Sequence, residues 1–438
     1  MNDTDNLNPQ EAAFIANNCY FTLKGWIDAM PVAGVESRAR VKDAVLGSGR
    51  TTQTFGGAPA NTSLQQTGLA GADLKRVFAG TTGMGVNTGF GYILKFTRGG
   101  SKHVIIATRG TRAEIGAADL LTDLYAARTG FGDYGTVHKG FKVTFDSVMA
   151  NIARDVRMVM DADVVHCVGH SLGGAVATLV AAHFAGQGKA VRLYTFGSPR
   201  VGAYGAYLAM QGRIGKDNIY RVAHDLDPIS LIGPYPYIHV NPSFRDPNNM
   251  TLYSPTGKLL SVANHNMLEY IASVSGPAGF NTWAAVRAKT GRVDHDNSTL
   301  GRWLLHDPAS AGWMRKASAY TLGLLLKLFA DELRKTSAEL IDAVTAVDLV
   351  AQMAMRGLQQ LESMAPGMFK VLSLFAQWAG DIVGSAAQMS MRVIRKILET
   401  MMATLVPMAA LAAMQISRDL VPMPILLAGA SALTGIQI

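Results

Sequence analysis

The sequence predicts an α/β fold followed by a helical C-terminal region, and three observations support this prediction. Segments typical of strands and helices alternate from residue 89 to about residue 275, as in an α/β domain. A G-x-S-x-G motif at residues 169–173 lies between an apolar strand-like run and a helix-like run. Beyond residue 318 apolar residues, many of them Met, recur at helical spacing. We therefore predict an α/β domain over residues 1–300 and a helical, Met-rich region over residues 301–438.

The elements that precede the motif are less regular. Residues 10–30 have the pattern of an amphipathic helix. Residues 47–89 are rich in Gly, Thr and Ser, and we expect them to form surface loops. The apolar run at residues 103–107 predicts a buried strand.

The context of the G-x-S-x-G motif points to a reactive serine. Residues 164–168 suit a strand buried on both faces, and residues 174–182 suit a buried helix. A sharp turn between the two would present the hydroxyl of Ser171 at the C-terminal edge of the sheet, and the flanking glycines permit that turn. This arrangement is typical of the nucleophile elbow of α/β-hydrolases, so we predict that fold with Ser171 as nucleophile.

A serine nucleophile needs a base and a carboxylate, and in this fold both come later in the chain, the acid first. The strand predicted at residues 218–223 is followed by Asp225 and Asp227, and either lies where the acid belongs. Four later histidines are candidates for the base: His239, His265, His295 and His306. These residues alone leave the acid and the base open.

Four segments in this order resemble class 3 lipases, a family that includes fungal triacylglycerol lipases and bacterial members. They are T-R-G-T at residues 108–111, V-H-K-G-F at 137–141, G-H-S-L-G-G at 169–174 and T-F-G-S-P-R-V-G at 195–202. The resemblance extends over residues 92–271. It implies an α/β-hydrolase fold and hydrolysis of lipid esters.

The resemblance also implies which acid and base act with Ser171. The family's aspartate follows H-x-x-D, which selects Asp227 over Asp225, although proline follows it directly here where many members have a hydrophobic residue first. His265 opens a segment similar to the family's H-x-M/L-x-x-Y pattern and is the expected base. His239 resembles a non-catalytic segment of the family.

Two further features are implied in the same way. The oxyanion is expected to bind the backbone N–H of Leu172 and the residue Thr111, which ends the turn after the strand at 103–107. Residues 113–124 fall where the family has its lid, and they mix apolar residues with two aspartates.

Composition limits the classes of partner. The 438 residues are 49% hydrophobic and 16% charged, with a formal net charge of +8 that is not concentrated in runs of Lys or Arg. This diffuse charge suits an anionic lipid surface better than nucleic acid, for which no motif is present. Two cysteines do not form a disulfide framework. No C-x-x-C, H-E-x-x-H or G-K-S/T motif occurs, so we expect no metal and no cofactor.

The ends of the chain raise the question of location. Residues 401–417 and 420–438 carry no charge, but each is shorter than the roughly 20 apolar residues of a spanning helix, and prolines interrupt them. They predict either a membrane-contacting hairpin or a Met-rich helical core. The N-terminus is polar, so we predict no secretory signal peptide, synthesis in the cytoplasm and export by a signal-independent route. An exposed tail would need a chaperone or inhibitor protein to cover it.

The sequence thus predicts a lipolytic serine ester hydrolase that acts on acyl esters of glycerolipids or phospholipids. A hydrophobic helical tail without a signal peptide is reminiscent of bacterial antibacterial effector lipases, which suggests a phospholipase effector. The alternatives are a membrane-disrupting protein or a non-catalytic lipid-binding module on a lipase scaffold.

Overall fold

The computed structural model describes most of the chain between residues 5 and 420. The described residues are 5–22, 46, 51–53, 59–61, 63–81, 87–110, 127–233, 236–242, 246, 248–254, 256, 260–275, 282–290, 318–336, 347–348, 350, 366–385 and 388–420. The predicted lid at 113–124 and most of the segment 420–438 lie outside them.

Thirteen strands are present in the described residues. They are β1 (Thr51–Gln53), β2 (Pro59–Asn61), β3 (Asp73–Thr81), β4 (Asn87–Arg98), β5 (Ser101–Thr108), β6 (Arg128–Gly130), β7 (Thr136–His138), β8 (Val164–His170), β9 (Ala190–Phe196), β10 (Gly202–Ala203), β11 (Ile219–His224), β12 (Tyr237–Ile238) and β13 (Asn249–Leu252). Seven of them form the central sheet, in the order β13-β11-β9-β8-β5-β4-β3.

The central sheet brings the ends of several strands to one edge. Strands β13, β11, β9, β8 and β5 run parallel, whereas β4 and β3 are antiparallel to their neighbours. The register pairs Thr108 with Gly169 and His170 with Phe196, so the loops after β5, β8 and β9 begin side by side. Ligands and catalytic groups of open α/β sheets gather at this carboxyl edge.

The described α-helices number ten. They are α1 (Pro9–Asn18), α2 (Lys139–Asn151), α3 (Val156–Met160), α4 (Leu172–Gly186), α5 (Tyr204–Ile214), α6 (Met267–Ser275), α7 (Trp283–Arg287), α8 (Ser318–Thr336), α9 (Pro366–Trp378) and α10 (Met391–Leu420). Helix α4 is buried along almost its whole length, as expected for an apolar helix placed against the sheet.

Helices cover both faces of the sheet, so the protein has the α/β-hydrolase fold that the sequence predicts. One apolar core contains residues of α2, α4 and α5, and the other contains residues of α1, α6 and α7. The strand β8 is buried at every position because both of its faces are covered.

The C-terminal helices continue the first of these cores. Helices α8, α9 and α10 pack on one another, and α10 also packs against the short 3₁₀ turn Val262–His265. Their buried side chains join those of the α/β region in one apolar cluster. The division of the chain into two domains at residue 300 remains a prediction. Within the described part of the chain, no helix is both long and apolar enough to cross a membrane.

One expectation from the sequence was wrong. Residues 73–81 form the strand β3, within the range 47–89 where surface loops were predicted. The strand β3 lies at the edge of the sheet and alternates between more exposed and more buried positions, with Phe78 buried. Its few apolar residues are sufficient because only one of its faces packs on the core.

Candidate active site

The turn between β8 and α4 holds Ser171 in a strained conformation. Its φ of 60° and ψ of −134° are rare for a residue with a side chain. A Cβ atom at Gly169 or Gly173 would overlap neighbouring backbone atoms, so both positions require glycine. The strain and the close approach are those of a nucleophile elbow, which presents the serine side chain above the sheet.

A histidine and an aspartate are paired at the same edge. Nδ1 of His265 lies 2.8 Å from Oδ2 of Asp227, and both side chains are buried. Asp227 lies in the loop after β11, and His265 ends the 3₁₀ turn that leads into α6. Because an ionised carboxylate can only accept, Nδ1 donates to it, and Nε2 is the ring nitrogen that is left to act as a base.

Three further groups hold the carboxylate of Asp227. The hydroxyl of Tyr270 donates to Oδ2 at 2.6 Å, the backbone N–H of Ile229 donates to Oδ1 at 2.8 Å, and the hydroxyl of Ser230 lies 3.4 Å from Oδ2. Burial alone would raise the pKa of Asp227, but the nearby His265 ring and these hydrogen bonds more than offset it, so its pKa lies below the usual value. The group is therefore a fixed negative charge near neutral pH.

The second ring nitrogen of His265 is available for proton transfer. Among the described residues, Nε2 of His265 is buried and has no hydrogen-bond partner. A buried polar atom without a partner is rare in folded proteins and calls for an explanation. The role of general base would explain it, because such a base needs one nitrogen free to accept a proton from the nucleophile.

His170, beside the nucleophile, has a different state. Its ring stacks on that of His265 with 4.5 Å between centroids, and its Nε2 donates to the backbone oxygen of His265 at 2.9 Å. Its Nδ1 therefore accepts from the hydroxyl of Tyr20, at 2.7 Å. Burial, with a smaller contribution from His265, holds the pKa of His170 well below its usual value. His170 is thus a neutral neighbour that fixes the position of the His265 backbone.

Comparison with known proteins gives a match to one family. Residues 105–235 match the Lipase (class 3) family. This part of the chain is similar to the class 3 lipases. The segment contains the elbow at Ser171 and the acid loop at Asp227, whereas His265 lies beyond it.

Two curated relatives are similar to the chain over this region. A secreted mono- and diacylglycerol lipase 1 from Fusarium solani is 33% identical over 174 residues, which are 37% of this chain and 49% of that protein. A secreted mono- and diacylglycerol lipase A from Penicillium cyclopium is 39% identical over 100 residues, which are 21% of this chain and 31% of that protein. The chain therefore spans about half of the first relative's length and less of the second's.

Solved lipase structures are also similar. That of a mono- and diacylglycerol lipase from Aspergillus oryzae matches with 22% identity and a TM-score of 0.34, covering 53% of this chain and 75% of that one. That of a lipase from Rhizopus microsporus var. chinensis matches with 19% identity and a TM-score of 0.34, covering 56% of this chain and 72% of that one.

The lipase segment also contains the start of the predicted oxyanion site. Leu172 begins α4, directly after Ser171, so its N–H lies at the N-terminus of that helix. A Cβ atom at Gly110 would lie 2.7 Å from Cβ of Ser171, which shows how closely the turn after β5 approaches the nucleophile. Thr111, the next residue of that turn, lies outside the described residues.

The other candidates for the acid and the base have different surroundings. Asp225 directly follows β11, and its backbone N–H donates to the oxygen of Leu252. His239 is buried with Nε2 donating to the backbone oxygen of Ser230 at 2.9 Å, and burial and nearby arginines hold its pKa well below the usual value. His295 and His306 lie outside the described residues. Where the structure describes side chains, no group of three or more acidic, Cys or His residues is placed to hold a metal ion.

Sequence reasoning missed two residues of this cluster. Tyr270 was noted only as part of the H-x-M/L-x-x-Y pattern. It lies on helix α6, five residues after His265, and its hydroxyl donates to the carboxylate of Asp227. Tyr20 lies 150 residues from His170, and nothing in the local sequence signals that contact.

Proposed function

We propose that the protein is a lipolytic serine carboxylester hydrolase that acts on acyl esters of glycerolipids. The observation that carries the proposal is the buried pair His265–Asp227, with Nδ1 and Oδ2 2.8 Å apart, at the sheet edge where the strained turn presents Ser171. The class 3 lipase segment and the two curated lipase relatives support it.

In this proposal each residue has one role. Ser171 attacks the ester carbonyl, and Nε2 of His265 takes its proton and later returns it to the leaving alcohol. Asp227 orients the ring and stabilises the imidazolium that forms. The N–H of Leu172 and the residue Thr111 bind the oxyanion. Water then attacks the acyl-enzyme and releases the fatty acid.

The substrate class follows from the relatives and from the surface. The names of both curated relatives specify mono- and diacylglycerols, so partial acylglycerols are the first substrates to test. Phospholipids are a second candidate, because a net charge of +8 favours adsorption to anionic membranes. Helix α10 supports surface contact since Ala403, Pro407 and Leu411 are exposed at intervals of four residues along one side of the helix.

The experiment combines two substrates with two variants. Purified protein is assayed on a short-chain p-nitrophenyl ester and on mixed vesicles of diacylglycerol and anionic phospholipid, with the products identified by lipid mass spectrometry. We expect fatty acid release in both assays and its loss in Ser171→Ala, by about 10⁴-fold or more. Vesicle leakage without fatty acid release would instead support a membrane-disrupting protein.

The second variant tests surface contact alone. Leu411→Asp should reduce hydrolysis and co-flotation with vesicles while turnover of the soluble ester stays unchanged, because the substitution lies on an exposed face of α10. Unchanged flotation would move lipid contact to another surface. A covering chaperone or inhibitor protein and a bacterial effector role remain predictions of the sequence.

A further inference from the structure

A buried ion pair joins the lipase segment to the C-terminal region. Nε of Arg200 lies 2.6 Å from Oδ1 of Asp348, and neither side chain is exposed to solvent. Arg200 belongs to the T-F-G-S-P-R-V-G segment after β9, whereas Asp348 lies between helices α8 and α9. A buried charge pair is costly to form and is retained in many proteins for what it positions rather than for stability.

The pair is connected to the loop of the catalytic acid by a ring of hydrogen bonds. Nη1 of Arg200 donates to the backbone oxygen of Ser230 at 3.1 Å, and Nε2 of His239 donates to the same oxygen at 2.9 Å. Oδ1 of Asp348 accepts from Nε of Arg200 and from the backbone N–H of His239, at 3.4 Å. Oδ1 of Asp348 therefore binds Arg200 and His239, the two residues that donate to the backbone oxygen of Ser230.

Ser230 lies three residues after the acid and belongs to the turn that orients it. The backbone N–H of Ile229 donates to Oδ1 of Asp227, and the hydroxyl of Ser230 lies 3.4 Å from Oδ2. A displacement of this turn would therefore move two of the groups that fix the carboxylate against His265. The oxygen of Ile232 accepts from the backbone N–H and from Nη1 of Arg200, each at 3.3 Å, so that end of the loop keeps one hydrogen bond that does not involve the ion-paired side chain.

Helix α10 contacts the same loop and the turn that carries the base. Sδ of Met402 accepts from the backbone N–H of Gly233 at 3.4 Å, and α10 packs against the turn Val262–His265 that carries the base. The C-terminal region thus contacts the elements that carry both Asp227 and His265.

We propose that Asp348 is a positioning residue for the catalytic acid, acting through Arg200 and His239 on the turn that holds Asp227. The C-terminal region would then be part of the machinery that sets the rate of ester hydrolysis. The inference rests on the proposed function for its kinetic readout only, because the Asp227–His265 hydrogen bond can also be observed directly.

The test compares one neutral variant with one apolar replacement. Asp348→Asn keeps the oxygen that accepts from Arg200 and His239 but removes the negative charge. The double variant Arg200→Met/Asp348→Leu replaces the pair by apolar side chains of similar volume, a change that commonly restores stability. Asp381→Asn is the matched control, since Asp381 pairs with Lys396 at 3.2 Å within the C-terminal region.

The kinetic readout is kcat and KM on a soluble p-nitrophenyl ester, with thermal unfolding measured in parallel. We expect kcat of Asp348→Asn to fall by about 10- to 100-fold with KM changed by less than about 2-fold, because misplacing a catalytic group by about 1 Å costs up to about 100-fold. The double variant should regain thermal stability and keep the low kcat, whereas Asp381→Asn should match the wild type.

A spectroscopic readout does not depend on turnover. The proton between Nδ1 of His265 and Asp227 should give a low-field ¹H NMR signal in the wild type and in Asp381→Asn, and this signal should shift or broaden in the double variant. If the wild type hydrolyses no ester, the proposed function fails and this signal alone decides the positioning role.

Two results would overturn the inference. One is a folded double variant with wild-type kcat and an unchanged low-field signal, which would make the pair a packing feature. The other is failure of both Asp348 variants to fold, which would make the pair a requirement of folding and leave no separate positioning role.

Discussion

The hydroxyl of Tyr270 donates at 2.6 Å to Oδ2 of Asp227, the same oxygen that accepts from Nδ1 of His265. Tyr270 reaches this position because it lies just over one helical turn beyond His265, on α6. The carboxylate is therefore held by its base and by a neutral donor that contributes to its low pKa.

The first prediction concerns this hydrogen bond. Tyr270→Phe removes a donor to a charged group, so the pKa of Asp227 should rise. Because the folded-state pKa of Asp227 is depressed, its stabilising negative charge is lost as pH falls through that pKa. The variant should lose this charge at a higher pH than the wild type. The acid limb of the pH profile of kcat should therefore move to higher pH. An unshifted profile, with exposed Tyr253→Phe as control, would assign the low pKa to other groups.

The second prediction separates the two aspartates of the acid loop. Asp227→Asn should lower kcat by about 10⁴-fold, because an amide at this position favours the wrong tautomer of the histidine. Asp225→Asn should reduce it by less than about 10-fold, since the contact with His265 is made by Asp227. Initial rates on a soluble ester, with circular dichroism as a check on folding, measure both. The reverse order of effects would reassign the acid.

The third prediction uses a glycine beside the pair. Gly197 has a φ of +54°, and a Cβ atom there would lie 2.8 Å from Oδ2 of Asp227 and 2.9 Å from Nδ1 of His265. Gly197→Ala should therefore separate base and acid and abolish most ester hydrolysis. Gly205→Ala is the control, because the added methyl group meets no atom within 4 Å and lies in helix α5. Equal activity of the two variants would contradict the described geometry.

The fourth prediction concerns stability in acid. Among the described residues, burial lowers the pKa of six histidines, and for His224 the value falls from 6.5 to about 4. The others are His103, His166, His170, His183 and His239. The unfolded chain binds protons at these sites below about pH 6.5 while the folded chain does not, so stability should fall as pH drops from about 6.5 toward 4.

Each site contributes up to about 1.4 kcal/mol per pH unit within its window. Urea unfolding at pH 7, 6 and 5 measures the slope. A wild-type stability that is constant from pH 7 to pH 5 would refute the buried neutral state of these histidines.

The relation of sequence to structure differs between local and distant features. The strand–turn–helix around Ser171 is encoded by adjacent residues, and the structure has β8 and α4 on either side of the predicted turn. The strand β3 was not predicted because Asp73, Lys75 and Arg76 interrupt its apolar residues, which weakens the apolar pattern. The strand β3 is stabilised by hydrogen bonds to its partner β4, and this pairing cannot be predicted from the residues of one segment alone.

The contacts around the site were harder to predict than its principal residues. The resemblance to class 3 lipases indicated Asp227 and His265, whereas chain order alone left the acid and the base open. Tyr20 and Asp348 have no such constraint. They reach the site through packing between segments more than 100 residues apart, so their contacts with His170 and Arg200 follow only from the assembled fold.

The identity of the residue that a fluorophosphonate probe modifies tests the central claim most directly. Full-length protein is incubated with the probe, and the adduct is located by mass spectrometry of peptides. A single adduct on Ser171, formed rapidly in the wild type and at least about 10³-fold more slowly in His265→Ala, is the predicted result. Absence of an adduct from folded wild-type protein, or the same labelling rate in His265→Ala, would contradict the account of Ser171 as a nucleophile activated by His265.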